Sequence, residues 1–363
     1  MRTVWLLALC LGLSYCQAGP LISPTLVGPA TLSPEVSGDV PSYTIFLPLT
    51  QQGTTSPLPS PTSSPTAAPT ASPTLPPPIT PTVTPTPPPP SDSWADVQHW
   101  TYQLTDYEND QLNQIAASGF DLAVVDLARD GSSDYFTASE IAAVKDSGKI
   151  VLAYFEIGAI ENYRPEWDTL PSDLLLGPVG GWPGERYVKY WDERWWAVVQ
   201  GRLDQALAAG FDGAYLDMIV TYEEIPANAA GTTRADLAAR MVDLIVRASS
   251  YAKVRNPAFK IVPQNAPELR AWAGYLPAID GLGIEELYYL ATDEPCSYNW
   301  CAENRAEAAA IAGAGKLVLT VDYADQVTHI ADAYTRSLAA GFVPYVTVQA
   351  LDVLRTNPGW PPY

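Results

Sequence analysis

Residues 94–363 are expected to form an α/β fold, a (β/α)8 TIM barrel, preceded by a disordered Pro/Thr/Ser-rich tether. Three observations predict it. Eight short apolar runs recur along this stretch, and segments with helical spacing separate most of them. Several of those segments end in Gly just before the next run, the usual helix stop. Eight strands alternating with helices over the 270 residues 94–363 is the arithmetic of such a barrel. A doubly wound open sheet is the alternative, but its usual Gly-rich phosphate loop after the first strand is missing.

The chain opens with an arginine, an apolar run and a small residue, "MRTVWLLALCLGLSYCQA". Residues 1–18 therefore predict a signal peptide, because the apolar run is too short to cross a bilayer. Cys10 and Cys16 would leave with it. Tyr15 is bulkier than the small residue expected before a lipidated Cys16. No later segment is long and apolar enough to span a membrane, so the mature protein is expected outside the cell, released or held at its surface, as a monomer. Residues 19–50 form a short N-terminal segment with one apolar island, "YTIFLPLT". Residues 51–93 are a Pro/Thr/Ser-rich linker that cannot build a core and predicts an extended tether.

Composition divides the chain at the same place. Of 35 prolines, 21 lie in the first 93 residues, where the charges are only Arg2, Glu35, Asp39 and Asp92. Nearly all of the net charge of −20 therefore belongs to residues 94–363. Such a surface repels nucleic acid and anionic membranes and attracts a cationic polymer. Two cysteines remain after export, in "CSYNWC". An oxidising setting predicts a disulfide between Cys296 and Cys301, with no further Cys or His partners for a zinc site.

The eight runs are "WTYQL" (100–104), "FDLAVVDL" (120–127), "KIVLAYFEIG" (149–158), "FDGAYLDMI" (211–219), "KIVPQNA" (260–266), "IDGLGIEEL" (279–287), "KLVLTVDY" (316–323) and "FVPYVTVQ" (342–349). In such barrels the chemistry sits where the strands end. There the sequence delivers Tyr102 and Gln103, then Asp126, then Tyr154 and Glu156, with Glu161 and Arg164 just beyond. Asp217 closes the fourth strand, Gln264 and Asn265 the fifth, and Glu285 and Glu286 the sixth. Asp322 and Tyr323 close the seventh, and Tyr345 and Gln349 the eighth. The strand starts carry Lys149, Lys260 and Lys316, and Asp212 sits at a start as a turn residue.

This equipment excludes several chemistries. Residues 94–363 contain two histidines, His99 and His329, neither at a strand end, which disfavours a histidine-ligated metal site and a Ser–His–Asp hydrolase. The strand lysines lie at the wrong end for a Schiff-base aldolase. "VDYADQ" and "VQALDV" would repel phosphate, and nothing supports a cofactor or a bound metal. Carboxylates, amides and aromatic rings remain. Two carboxyl groups flanking a scissile bond, with rings on which sugar faces stack, are the parts of glycoside hydrolysis. Trp182 and Trp191, in the long loop after strand 3, are candidates for that aromatic wall, whereas Trp195 and Trp196 belong to a buried helix face.

"LAYFEIGAIENYRPEW", "YVKYWDERWW", "GFDGAYLDMI" and "IDGLGIEELYY" resemble glycoside hydrolase family 114, the endo-α-1,4-polygalactosaminidase-like barrels, and within it a bacterial branch related to a Thermotoga hypothetical protein. The resemblance covers about 95–355. It implies hydrolysis of α-1,4-linked galactosamine or N-acetylgalactosamine polymers by two acidic residues. Its G-x-D-G-x-x-x-D strand places one at Asp217, and "GIEEL" aligns the other with Glu285. Neighbouring strand residues point to opposite sides, so only one of Glu285 and Glu286 can face the mouth. The substrate-binding residues expected around the catalytic pair are Tyr102, Asp126, Tyr154, Glu156, Glu161, Arg164, Trp182, Trp191, Asn265, Asp322 and Tyr323. Against this stands a barrel that binds cell-surface polysaccharide without cutting it, which would not need Asp217 and Glu285 together.

Overall fold

A computed structural model of the chain describes residues 94–362. The expected signal peptide (1–18), the segment 19–50 and the linker 51–93 lie outside the described residues.

The barrel expected from the sequence is the fold observed. Its strands are β1 (Trp100–Tyr102), β2 (Leu122–Asp126), β3 (Ile150–Glu156), β4 (Gly213–Asp217), β5 (Lys260–Pro263), β6 (Gly281–Glu285), β7 (Leu317–Tyr323) and β8 (Val343–Thr347). Strands β1 to β5 pair in parallel in that order, and β6, β7 and β8 form a second parallel run. A bridge between Gln264 and Gly283 joins the runs on one side. On the other, the Trp100 indole donates to the Val343 carbonyl at 2.9 Å and the Leu104 N–H to Leu351 at 2.7 Å, which closes the ring.

The crossovers carry α1 (Asn113–Ala117), α2 (Ala138–Asp146), α3 (Glu193–Ala209), α4 (Arg234–Arg255), α5 (Tyr275–Ala278), α6 (Asn299–Gly313) and α7 (Val327–Ala339). Thr137 and Thr233 start α2 and α4 with reciprocal capping boxes. Gly210, in the left-handed region at φ 83°, stops α3. The crossover from β5 to β6 shows no helical period in the sequence, and it holds only a single 3-10 turn and the four-residue α5. Pro267 and Pro277 bar a longer helix there.

The N-terminal face of the barrel is built for stability. Asp121, Asp212 and Asp280 each precede a strand, and each accepts a backbone N–H within one residue of the start of the strand before it, from His99, Val151 and Ile261, at 2.8–2.9 Å. Lys149 donates to the Ala116 and Ser118 carbonyls and Lys316 to that of Ile279, covering the open carbonyl ends of helices α1 and α5. The basic strand starts and Asp212 thus hold backbone ends together at the face opposite the mouth.

Two cores follow from the alternation of strand side chains. One lies between sheet and helices. The other fills the barrel, and it is aromatic: Trp100, Tyr102, Tyr154, Tyr215, Tyr323 and Tyr345 share it with Leu122, Val124, Leu152, Val262, Leu319 and Val321. Ring centroids of Tyr102 and Tyr215 lie 5.2 Å apart, and those of Trp100 and Tyr102 5.8 Å. Rings this large fit only where a facing strand yields space. Gly283 on β6 provides it, since a Cβ there would lie 1.9 Å from the Tyr215 hydroxyl oxygen.

The long segment after β3, read from the sequence as a loop, contains an antiparallel sheet of Ala159–Glu161, Glu185–Val188 and Leu175–Pro178, with Glu185–Val188 in the middle. Trp195 and Trp196 are buried on α3, as expected. Cys296 and Cys301 form the expected disulfide, joining the loop after β6 to the first turn of α6.

Gly283→Ala should destabilise the barrel by about 1–3 kcal/mol through overpacking against Tyr215. Gly201→Ala, on α3 where an added Cβ meets nothing within 4 Å, should stabilise it by about 0.5–1 kcal/mol. Urea unfolding of both variants checks the pair, and equal effects would mean that the Tyr215 packing is not the constraint described.

Candidate functional site

A cavity of about 450 Å³ opens at the C-terminal ends of the strands. Strand alternation decides which side chains reach it. On β3, Tyr154 and Glu156 face inward while Phe155 joins the outer core. On β4, Tyr215 and Asp217 face inward, as do Gly283 and Glu285 on β6 and Val321 and Tyr323 on β7.

Asp217 is held by two donors. The Tyr154 hydroxyl donates to Oδ2 at 2.7 Å, and the Met218 N–H donates to Oδ1 at 2.6 Å. Glu285 is held by the Tyr323 hydroxyl, by the Gln264 amide, and by the Asn265 amide at 3.1 Å. Gln264 is itself oriented, because the Tyr102 hydroxyl donates to its Oε1 at 2.9 Å. Aromatic hydroxyls rising from the barrel core therefore position both carboxyl groups.

The backbone turns sharply just past both carboxylates. Met218 after Asp217 has φ 58° and Glu286 after Glu285 has φ 56°, while Asn265 and Ala266 at the end of β5 have φ 65° and 51°. Four non-glycine residues in the left-handed region at neighbouring strand ends store strain where side chains are aimed into a site. The turn at Glu286 sends its carboxylate to the Ala291 N–H in the next loop, so Glu285 is the one that faces Gln264, Asn265 and Tyr323.

Burial dominates the electrostatics. Asp217 is pushed up to about 7, first by burial and then by the charge of Glu285. Burial also raises Glu285, against its three donors. Both carboxyl groups thus hold their protons more tightly than a free carboxylate does. On the opposite wall, one buried cation is shared by two carboxylates. Arg164 donates bidentately to Asp126, at 2.9 Å twice, and to Glu161 at 3.0 and 2.7 Å. All three side chains are buried. Burial would raise Glu161, but Arg164 outweighs it and holds its carboxyl low. Asp126 stays raised, by burial against Arg164. Arg164 thus offsets part of the wall's negative charge, its donors already committed to protein carboxylates.

Of the other residues expected here, Tyr102, Tyr154, Glu156, Trp182 and Tyr323 border the cavity, with Trp182 49% exposed at its rim. Asn265 acts one step back, through Glu285. Two expectations are corrected. Asp322 is 1% exposed and points away from the mouth, where it accepts the Tyr288 and Tyr289 N–H groups at 2.7 and 2.9 Å. Tyr323 faces inward, so its neighbour must face out. Trp191 lies outside the cavity, edge-on to Tyr190 with the Arg240 guanidinium over its ring at 5.3 Å. The strong indole–cation contact draws it onto α4 instead.

Among the lining residues not singled out from the sequence are Glu185 and Tyr163. Glu185 is paired opposite Glu161 by the antiparallel sheet after β3. The alternation in "GERYV" was the only local signal for it. Tyr163, 55% exposed, donates to Glu161 at 3.0 Å and adds a second ring to the rim with Trp182.

An acidic, ring-walled cavity at the strand ends of a parallel barrel is the site of a glycoside hydrolase. Residues 81–359 match the glycoside-hydrolase family GH114, and the chain belongs to that family. Among its relatives is an uncharacterized protein of Deinococcus radiodurans, 37% identical over 266 residues, spanning 72% of this chain and 83% of that protein. Another is an uncharacterized protein of Thermotoga maritima, 31% identical over 273 residues, spanning 71% and 83%. The fold is shared with Aspergillus fumigatus Ega3 in complex with galactosamine, at TM-score 0.57 and 18% identity over 71% of this chain and 95% of that one. It is shared also with the glycoside hydrolase domain of PelA from Pseudomonas aeruginosa, at TM-score 0.58 and 14% identity over 72% and 98%.

Carboxyl groups raised by folding make stability depend on pH. Asp217 moves from 3.8 to about 7 and Glu185 from 4.5 to about 8. The folded protein binds more protons than the unfolded chain between those values, so stability is greatest below about 4 for these groups and is lost as pH rises toward about 8. The melting temperature should fall from pH 5 to pH 8.5, and Asp217→Asn should flatten that fall. A melting temperature that climbs over this range in the unmutated protein would contradict the assigned shifts.

Proposed function

We propose that this protein cleaves a polymer of α-1,4-linked galactosamine or N-acetylgalactosamine from within, with Asp217 and Glu285 as its two reacting carboxyl groups. The observation that carries the reading is that these groups end β4 and β6, border one cavity, and are both raised by burial, Asp217 to about 7 with Glu285 as its second cause. Glycoside hydrolysis needs that combination. One carboxylic acid protonates the leaving oxygen, and one carboxylate acts at the anomeric carbon directly or through water. Tyr154, Tyr323, Gln264 and Asn265 hold the pair, while Trp182 and Tyr163 offer apolar faces to flanking sugars. Ega3, which shares the fold, was solved with galactosamine. That bound sugar, the family and the acidic mouth together support an amino sugar. Export through residues 1–18, with residues 51–93 as a spacer, belongs to the same proposal and puts the barrel where extracellular polysaccharide is found.

Hydrolysis of partly deacetylated α-1,4-galactosamine polymer, followed by reducing ends, tests the assignment. Asp217→Asn and Glu285→Gln should each lower kcat by about 10²–10⁴-fold while most of the binding is retained. KM should rise with salt, because the screening length falls to about 3 Å at 1 M. Full activity in either variant, or efficient cleavage of polygalacturonate, would sink the proposal. Binding without cleavage by the unmutated protein would make the barrel a carbohydrate-binding module.

A further inference from the structure

The tyrosine hydroxyls of the barrel interior mostly have a partner. Tyr154 donates to Asp217, Tyr323 to Glu285 and Tyr102 to Gln264, while the Tyr345 hydroxyl accepts the Arg355 N–H at 3.0 Å. Tyr215 differs. It is fully buried, and among the described residues nothing hydrogen-bonds its hydroxyl. A buried hydroxyl without a partner costs stability, and phenylalanine would fill the same space without that cost. The space itself carries a second cost, since glycine inside a strand loses entropy on folding and packs nothing. Gly283 on β6 is nevertheless needed, because a Cβ there would collide with the Tyr215 hydroxyl oxygen. Two unfavourable choices thus meet at one point.

That point lies one inward layer below the carboxyl groups. Tyr215 stands two residues before Asp217 on β4, and Gly283 two before Glu285 on β6. Gly283 is also the bridge partner of Gln264, whose amide donates to Glu285. From β1, Tyr102 orients that amide and packs its ring 5.2 Å from the Tyr215 ring. The donors on Glu285 are unevenly shared. Gln264 and Asn265 both reach Oε2, whereas Tyr323 reaches Oε1. An ionised carboxylate offers about four lone-pair positions, so Oε1 keeps room for a second donor.

We propose that Tyr215 is a positioning residue for hydrolysis, its O–H turning toward Glu285 whenever that carboxyl is ionised in the catalytic cycle. The inference rests on the assignment of Asp217 and Glu285 above. In either role, acid or partner carboxylate, Glu285 changes charge during turnover and its need for donors changes with it. A hydroxyl follows that change without moving its ring, because its hydrogen rotates about the C–O bond. The titratable groups facing Tyr215 and Glu285 are Tyr102 from β1, Asp217 from β4 and Tyr323 from β7, with Glu286 next in the chain, and no Lys or Arg is among them. A donor that acts on the ionised form lowers the proton affinity of Glu285, so losing it raises that affinity.

Tyr215→Phe in the full-length protein tests this, with Tyr275→Phe as its control. Tyr275 is also fully buried with an unpartnered hydroxyl, but it lies on α5 in the core between sheet and helices. Losing such a hydroxyl should raise the melting temperature of each variant by about 2–4 °C. Only Tyr215→Phe should alter the chemistry. With partly deacetylated α-1,4-galactosamine polymer, its kcat should fall by about tenfold at unchanged KM. The limb of its pH profile set by Glu285 should move up by about one unit. Carbon-13 NMR titration of the glutamate-labelled free protein, with Glu285 identified by Glu285→Gln, should show the same upward shift. An unshifted profile and titration would overturn the inference, whatever happens to kcat, as would an equal loss of kcat in Tyr275→Phe. A lower melting temperature in Tyr215→Phe would also overturn it, by showing the hydroxyl already engaged at rest. A shifted Glu285 titration in a protein that cleaves no polymer would sink the hydrolysis proposal and leave the action of Tyr215 on Glu285 standing. Cleavage by the unmutated protein with no shift in Tyr215→Phe would do the reverse.

Discussion

The contact between the Tyr215 ring and the empty side of Gly283 sets the terms for the rest of the barrel. TIM-barrel interiors are ordinarily filled by branched aliphatic side chains in layers. Here the interior is a column of rings, Trp100, Tyr102, Tyr215, Tyr345 and Tyr154, and it closes only because β6 has no side chain where Tyr215 crosses it. Tyrosine in place of leucine has a chemical consequence. The apolar ring fills the core, while its hydroxyl carries hydrogen-bonding capacity up to the next layer. Tyr154 and Tyr323 reach the Asp217 and Glu285 carboxyl groups directly, and Tyr102 reaches Glu285 through Gln264. Packing and active-site orientation are thus set by the same side chains.

Charge is distributed unequally above that floor. Asp126 and Glu161 share Arg164 and are satisfied within the protein, whereas Asp217, Glu285, Glu156 and Glu185 have no cation and rely on donors or shared protons. Folding therefore raises the proton affinity of the side without a cation, while opposite it Arg164 holds Glu161 low and leaves Asp126 raised by its burial. The raised side costs stability at high pH, which is the usual cost of a site whose acid must keep its proton at the working pH. Strained backbone at Met218, Asn265, Ala266 and Glu286 adds to it. The opposite face, with Asp121, Asp212, Asp280 and the strand-start lysines on backbone ends, supplies compensating stability away from the chemistry.

Much of the site was legible without coordinates, because a barrel strand displays its last residues at the mouth. Eight apolar runs with helical spacers predicted the architecture, and reading their ends brought out Tyr102, Asp126, Tyr154, Glu156, Asp217, Glu285 and Tyr323, all of which border the cavity. Asp322 was misplaced although the information was local: residues 317–323 alternate, and once Tyr323 faces inward Asp322 must face out.

Other features depend on contacts between residues far apart in the chain, which no window of sequence contains. Trp191 was taken for a loop aromatic, but Arg240 on α4 draws its ring away from the cavity. Glu185 went unnoticed because it becomes a site residue only when the sheet after β3 pairs it with Glu161, 24 positions earlier. Arg164 looked available for substrate until the fold laid Asp126 and Glu161 on both of its edges. The amino-acid sequence alone determined the barrel, its chemically active end and the kind of side chain found there, because strand period and strand ends are local properties. Tertiary structure alone decided which carboxylates are neutralised and which keep a proton, because burial and charge pairing arise only when distant segments meet.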